Sequence, residues 1–222
     1  MRIKVLLVAS LRNNPSRNDT GALGDPDLPL VVLDLASVET YLLAQPLSWL
    51  ASEAAGAVWC PLISAPAALD DDQAQARRCA ERVRLELSWP ERHPAPVPRT
   101  MRQAALACSR GKAASFMFAA SGLAFGSGID LEQIEPGRTF AAELRRGLDV
   151  SAAQTRAARE AGSEWDLALD RIAGELAGIG ISSAPALRWR REIYAGAQAI
   201  DRVLAEGESL QPRLGLTPTA RD

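Results

Sequence analysis

The chain has 222 residues, 47% of them apolar and 23% charged, with a formal net charge of −2. That length suits one domain carrying a sizeable insertion and is ample for a packed core. The near-neutral charge excludes the basic footprint of a nucleic-acid or membrane-surface binder, and no run reaches the roughly 20 apolar residues of a membrane span.

Cysteine usage points the same way. Cys60, Cys79 and Cys108 are odd in number and form no Cys-x-x-Cys. They predict neither a disulfide framework nor a metal site, and they fit a reducing, cytoplasmic setting. The apolar run at Met1–Ser10 is barely long enough for a signal peptide, and polar Arg12-Asn13-Asn14 follows without a clean cleavage site. Residues 1–28, rich in Asn, Pro, Asp and Gly after residue 11, read as a loose N-terminal extension.

The first regular element is a short apolar, β-branched run from Pro29 to Leu35, expected to be a strand buried on both faces. Ser37 stands where its side-chain oxygen could cap a helix reaching from Thr40 to Ala55. Gly56 ends that helix, and Ala57–Leu62 predicts a second strand, parallel to the first as a βαβ unit requires. From about Asp70 to Ala177 strand patterning disappears. Ala, Arg, Glu and Leu dominate, in blocks broken by a Pro-rich stretch at Pro94–Pro98, Gly111, Gly126-Ser127-Gly128 and Pro136-Gly137, which predicts four to six helices. The first of these runs to Leu87, with Asp70-Asp71-Asp72 supplying its cap and first-turn charge.

The end returns to β. A helix closes at Gly178, and Ala186–Arg190 alternates apolar and polar as a strand does. Arg191-Glu192 is the expected turn and Ile193–Ala195 the returning strand. A last helix follows from Ala197 to Ala205, and residues 207–222 read as a frayed tail. The order β-α-β, helical block, α-β-β-α predicts an α/β, thioredoxin-like fold with a large all-helical insertion. The expected division is a core of residues 29–65 and 178–206 around an insertion of residues 66–177.

Several residues invite a chemical reading that the pattern does not favour. His93, the sole histidine, lies in a Pro-rich loop with no Gly-x-Ser-x-Gly elbow anywhere, so a surface position is expected rather than a catalytic triad. Gly122, Gly126 and Gly128 do not follow a strand and read as helix punctuation. Arg188, Arg190 and Arg191 cluster at the hairpin, where a solvated strand face and turn are expected in preference to an anion site. Arg77, Arg78, Arg82 and Arg84, with Glu81 and Glu86, read as an exposed salt-bridged helix face.

The segment Asp34-Leu35-Ala36-Ser37-Val38-Glu39-Thr40-Tyr41-Leu42 resembles the DsbA-like family. It is closest to the branch of 2-hydroxychromene-2-carboxylate isomerases and kappa-class glutathione transferases, which reads Asp-x-x-Ser-Pro-x-Ser-Tyr-Leu here. Three further stretches agree in order: Val58–Pro61, Phe125–Leu131, and Ile181–Leu187 followed by Ile193–Gly196. The resemblance spans residues 29–206 and marks the chain as a divergent member, with Val38 where the branch has proline.

The resemblance implies a glutathione-dependent isomerase or transferase, without metal, cytoplasmic and often homodimeric. With no Cys-x-x-Cys, dithiol–disulfide exchange is ruled out. Ser37, at a helix N-terminus that favours a thiolate, would stabilise the glutathione sulfur. Ala184 and Pro185 would form a cis-proline loop that pairs with the peptide-like ligand, and Thr40, Tyr41, Trp59 and Gln198 are the further implied glutathione contacts. The alternative is a non-catalytic binding protein that uses the same loop to hold a peptide or protein partner. A third reading makes Cys60 a nucleophile, against the default of a buried, inert cysteine.

Overall fold

The computed structural model describes residues 23, 25–47, 57–64, 73–134 and 151–210, with side chains as far as 205. The extension before residue 23, the far half of the first helix, Asp70-Asp71-Asp72, Pro136-Gly137 and the tail after 210 lie outside the described residues.

Strand β1 (Leu30–Leu33) is buried along its whole length. Its side chains alternate between two apolar clusters. Val31 and Leu33 face one with α1 (Val38–Ala44) and most of the helices. Leu30 and Val32 face the other with Cys60, Ile172, Leu176 and Ala186. A short run of β-branched and aliphatic residues covered on both sides is what an α/β sheet demands. Strand β2 (Val58–Pro61) lies parallel to β1, as the βαβ reading predicts, with Val31 opposite Trp59.

The helical block follows. Helix α2 (Gln73–Val83) stops short of the expected Leu87 because Arg84 turns left-handed at φ 57° and Leu85 N–H returns to Ala80 O at 2.9 Å. That 6→1 bond is the Schellman ending, here built without the usual glycine. Helices α3 (Pro98–Ser109) and α4 (Ala113–Ser121) come next. Gly122–Gly126 then continues α4 as a π-helical turn, rather than ending one helix and opening another. A 3₁₀ turn at Leu131–Gln133 is followed, beyond residues 135–150, by α5 (Ala152–Ala158) and α6 (Glu164–Gly178). Helix α6 serves both parts: Ala168 and Leu169 pack with the helical block, while Ile172 and Leu176 pack under the sheet.

Strands β3 (Ala186–Trp189) and β4 (Glu192–Ala195) form the hairpin, with β3 antiparallel to β1. The turn falls at Arg190-Arg191, one residue earlier than expected. Both residues have positive φ (50° and 70°), and Trp189 pairs with Glu192 across a two-residue loop. Loops that short take the primed turns because only their twist matches the strands. Helix α7 (Ala197–Leu210) runs past the expected Ala205. The sheet order is β2-β1-β3-β4, and with its helices on both faces this is a thioredoxin-like α/β fold carrying a helical insertion.

Arg188 corrects a second expectation. It is 4% exposed, not solvated. Its guanidinium donates to the carbonyls of Leu23 at 2.7 Å, Asp25 at 2.5 Å and Leu28 at 3.4 Å. Its fan of N–H donors lets one buried arginine satisfy several carbonyls of the incoming chain.

Candidate functional site

Strand β1 delivers the chain to Asp34, and the turn from Asp34 to Ser37 closes on a 3.0 Å bond from Ser37 N–H to Asp34 O. Asp34 is 2% exposed. Its carboxylate accepts N–H bonds from Ala36 at 2.9 Å and from Ser64 at 2.7 Å. Burial pushes this carboxyl above its ordinary value, and the two N–H bonds, with a further hydrogen bond from the Ser64 side chain, pull the other way without cancelling that shift. Thr40 locks the same turn: its hydroxyl donates to Asp34 O at 2.5 Å and accepts Asp34 N–H at 3.1 Å.

Ser37 takes the N-cap position of α1 with extended backbone (φ −93°, ψ 130°), yet its side chain makes no capping bond. The expected cap is absent because Thr40 N–H goes to the Ser37 carbonyl at 3.1 Å instead of to the hydroxyl. Among the described residues no hydrogen bond engages that hydroxyl, which is unusual for a serine at this position.

A second wall comes from Ser64, just after β2. Its hydroxyl accepts Ala184 N–H at 3.1 Å and donates to Ala184 O at 3.4 Å. The Ala184–Pro185 bond is cis, as is His93–Pro94 in the helical block. Pro185 O accepts Gly196 N–H at 2.9 Å, which ties the loop to the start of α7. Glu39 presses on that same start. A Cβ on Gly196, whose φ is +52°, would lie 3.3 Å from a Glu39 carboxylate oxygen. Glu39 is half-buried, and burial raises its carboxyl above the ordinary range. Ser37, Glu39, Ala184, Pro185 and Gly196 thus gather at the end of the sheet where β1 and β4 finish and β3 begins.

The other implied contacts lie differently. Thr40 is fully buried, with its hydroxyl closed on Asp34. Tyr41 donates to Glu86 O at 3.2 Å and packs on Gly126, while Trp59 sits 5% exposed in the core. Gln198 is exposed on the first turn of α7. Cys60 and Cys108 are free thiols buried in the core. Burial drives Cys60 well above the ordinary thiol range and Cys108 to about 12, so both stay protonated and neither is a nucleophile as the site stands.

Leu35 and Ala36, immediately before Ser37, wall a narrow cleft of about 310 Å³, solvent mouth included, against His93, Pro96 and Phe125. Arg92 and Asp130 close its rim with two bonds of 2.6 and 3.1 Å. His93 is in a loop as expected but half-buried rather than on the surface, its ring 5.0 Å from Trp89 and 5.1 Å from Phe125. Among the described residues no group of three or more His, Cys, Asp or Glu could hold a metal ion, and no helix is long and apolar enough to cross a membrane.

Sequence reasoning missed Ser64 and the buried role of Asp34. Asp34 carried a signal, as the first letter of the Asp-x-x-Ser stretch. Ser64 carried none, since a lone serine after a strand is ordinary turn chemistry.

No family model matches the chain, and no curated protein matches it in sequence. A solved structure of 2-hydroxychromene-2-carboxylate isomerase shares its fold with TM-score 0.61 and 15% identity, over 86% of this chain and 100% of that one.

Proposed function

We propose that this protein is a divergent member of the DsbA-like isomerase and glutathione-transferase branch, acting on a small-molecule substrate with glutathione as its thiol. The observation that carries the reading is the Ser37 hydroxyl, which sits at the first turn of α1 without a capping bond. A hydroxyl held there can donate to a thiolate, and the free N–H groups of a first helical turn add to that stabilisation. The likeness in fold to an isomerase structure supports the same reading. A cytoplasmic dimer belongs to the proposal.

Glutathione titration by calorimetry tests it first. Heat of binding at millimolar ligand is expected, and none would remove the enzyme reading. In the complex, Ser37→Ala is expected to raise the pKa of the bound thiol by about one unit, the worth of one hydrogen bond to a charged group. An unchanged thiolate absorbance would take Ser37 out of the role.

A second reading, a non-catalytic protein that holds a peptide at the cis-proline loop, is favoured by Glu39. Its carboxylate lies against the start of α7, and a negative charge beside a bound thiolate opposes ionisation. Capture of peptides without thiols, at affinities unaffected by Ser37→Ala, would favour that reading.

A further inference from the structure

Ser64 uses one hydroxyl to satisfy both main-chain groups of Ala184, accepting from its N–H at 3.1 Å and donating to its O at 3.4 Å. A residue whose N–H and C=O meet the same partner residue is presenting the hydrogen-bonded pair of an antiparallel ladder. An extended, peptide-like ligand would use that pair to add itself to the loop before Pro185. A serine hydroxyl is both donor and acceptor, so it can stand in for a ligand's carbonyl and amide at once.

Ser64 is also held there. Its own N–H is bound at 2.7 Å by the Asp34 carboxylate, and it is 5% exposed. Its chain neighbour Ile63 is 50% exposed.

We propose that Ser64 is an internal competitor for the ligand-pairing edge of Ala184, setting how tightly a peptide-like ligand such as glutathione binds. The inference rests on the reading that a ligand pairs with this loop. A ligand must displace the hydroxyl to form its own bonds, and the displaced hydroxyl must find another acceptor. The Asp34 carboxylate is that acceptor: it already binds the Ser64 N–H, and the Ser64 side chain hydrogen-bonds it as well, in competition with the long 3.4 Å bond to Ala184 O. Removing the hydroxyl should therefore tighten binding, whereas a serine that merely supports the loop would weaken it when lost.

The experiment pairs two measurements on wild type, Ser64→Ala, and Ser64→Cys, which fills the same space with a weak donor and acceptor. Hydrogen exchange reads the Ala184 amide without ligand: protection in wild type and fast exchange in both variants are expected. Calorimetry with reduced glutathione is expected to show about three- to tenfold tighter binding in the variants, the worth of one neutral hydrogen bond. If wild type binds glutathione and the variants bind equally or more weakly, the competitor role falls while the glutathione reading stands. If no form binds glutathione, that reading falls, and Ala184 amide exchange alone decides the hydroxyl's hold. Unchanged protection in both variants overturns the inference whatever glutathione does. Should Ser64→Ala not fold, Ser64→Cys carries both measurements.

Discussion

The two ends of strand β1 each bury a charge, and they do it in opposite ways. At the entry, Arg188 donates to three carbonyls of residues 23–28. At the exit, Asp34 accepts two N–H bonds, from Ala36 and Ser64. Each side chain is matched chiefly to main-chain groups, and at Arg188 the charge of Asp25 adds to the carbonyls in offsetting burial. The difference lies in what surrounds them. The Arg188 end is spent on fastening the incoming chain. The Asp34 end fastens a turn and leaves beside it a Ser37 hydroxyl that caps nothing and a half-buried Glu39 carboxylate. One end is a clasp; the other is a frame around polar groups that the fold itself does not use.

Breaking the clasp should have the largest effect. Arg188→Leu keeps much of the bulk and strands the Leu23 and Asp25 carbonyls, so a loss of roughly 3 kcal/mol is expected, with two charge-assisted bonds gone. Urea denaturation measures it. A loss below about 1 kcal/mol would mean that the segment before β1 needs no such anchor. Ser37→Ala at the other end should leave stability within about 0.5 kcal/mol, because the hydroxyl caps nothing.

Asp34→Asn probes the frame and is the next largest. The amide can accept only one of the two N–H bonds and turns its own donor toward the other, a mismatch of about 1–3 kcal/mol. The loss is pH-dependent. Burial raises the native Asp34 carboxyl above its ordinary 3.8, so the folded protein holds that proton more tightly than the unfolded chain. Its contribution to stability is full below 3.8 and drains as pH rises through the native value. The gap between wild type and Asp34→Asn is therefore expected to be wider at pH 4 than at pH 7, measured by urea melts at each pH. A gap that widens toward neutrality would mean that the N–H bonds, not burial, set this carboxyl.

The fold was legible where burial and backbone geometry act on short ranges of sequence. The all-apolar β1 run, the βαβ order and the final hairpin all follow from patterning, since a strand covered on both faces leaves no room for polar residues. The misses are tertiary. Arg188 reads as a solvated strand residue because the carbonyls that bury it belong to a segment 160 or more positions away. Arg84 ends α2 left-handed, which no propensity assigns to arginine. At the candidate site, the cis bond before Pro185 was legible through the resemblance. Ser64 was not, because its meaning lies in Asp34 and Ala184, 30 positions before it and 120 after.

A smaller change sharpens the entry end. Arg190 and Arg191 sit at φ 50° and 70°, a region that costs a side chain with a Cβ but is open to asparagine and glycine. Replacing the pair by Asn-Gly should raise Tm by about 3 °C, as relief of left-handed strain in a chain this size predicts. The exposed Arg191–Asp27 pair and the Arg190 guanidinium 6.0 Å from the Trp189 ring centroid, both lost in the exchange, offset only part of that. An unchanged or lower Tm would mean that these arginines hold the turn through contacts stronger than its strain.

Glu39→Gln is expected to move stability least, and its sign carries the information. Burial raises the native Glu39 carboxyl above 4.5, so ionised Glu39 costs the folded state stability once the pH passes that value. The glutamine variant should then melt at the same temperature as wild type near pH 4 and slightly higher at pH 7.5. The first turn of α7 works against this, because its N–H groups favour an anion and Glu39 lies beside Gly196. If the helix end dominates, the variant melts lower at pH 7.5, and the carboxylate belongs to α7 as a fastening, like Arg188 at the far end. If burial dominates, the charge is a cost the fold bears beside Ser37, and under the proposed function neutralising it should also ease ionisation of a bound thiol. Melting curves at the two pH values separate these cases.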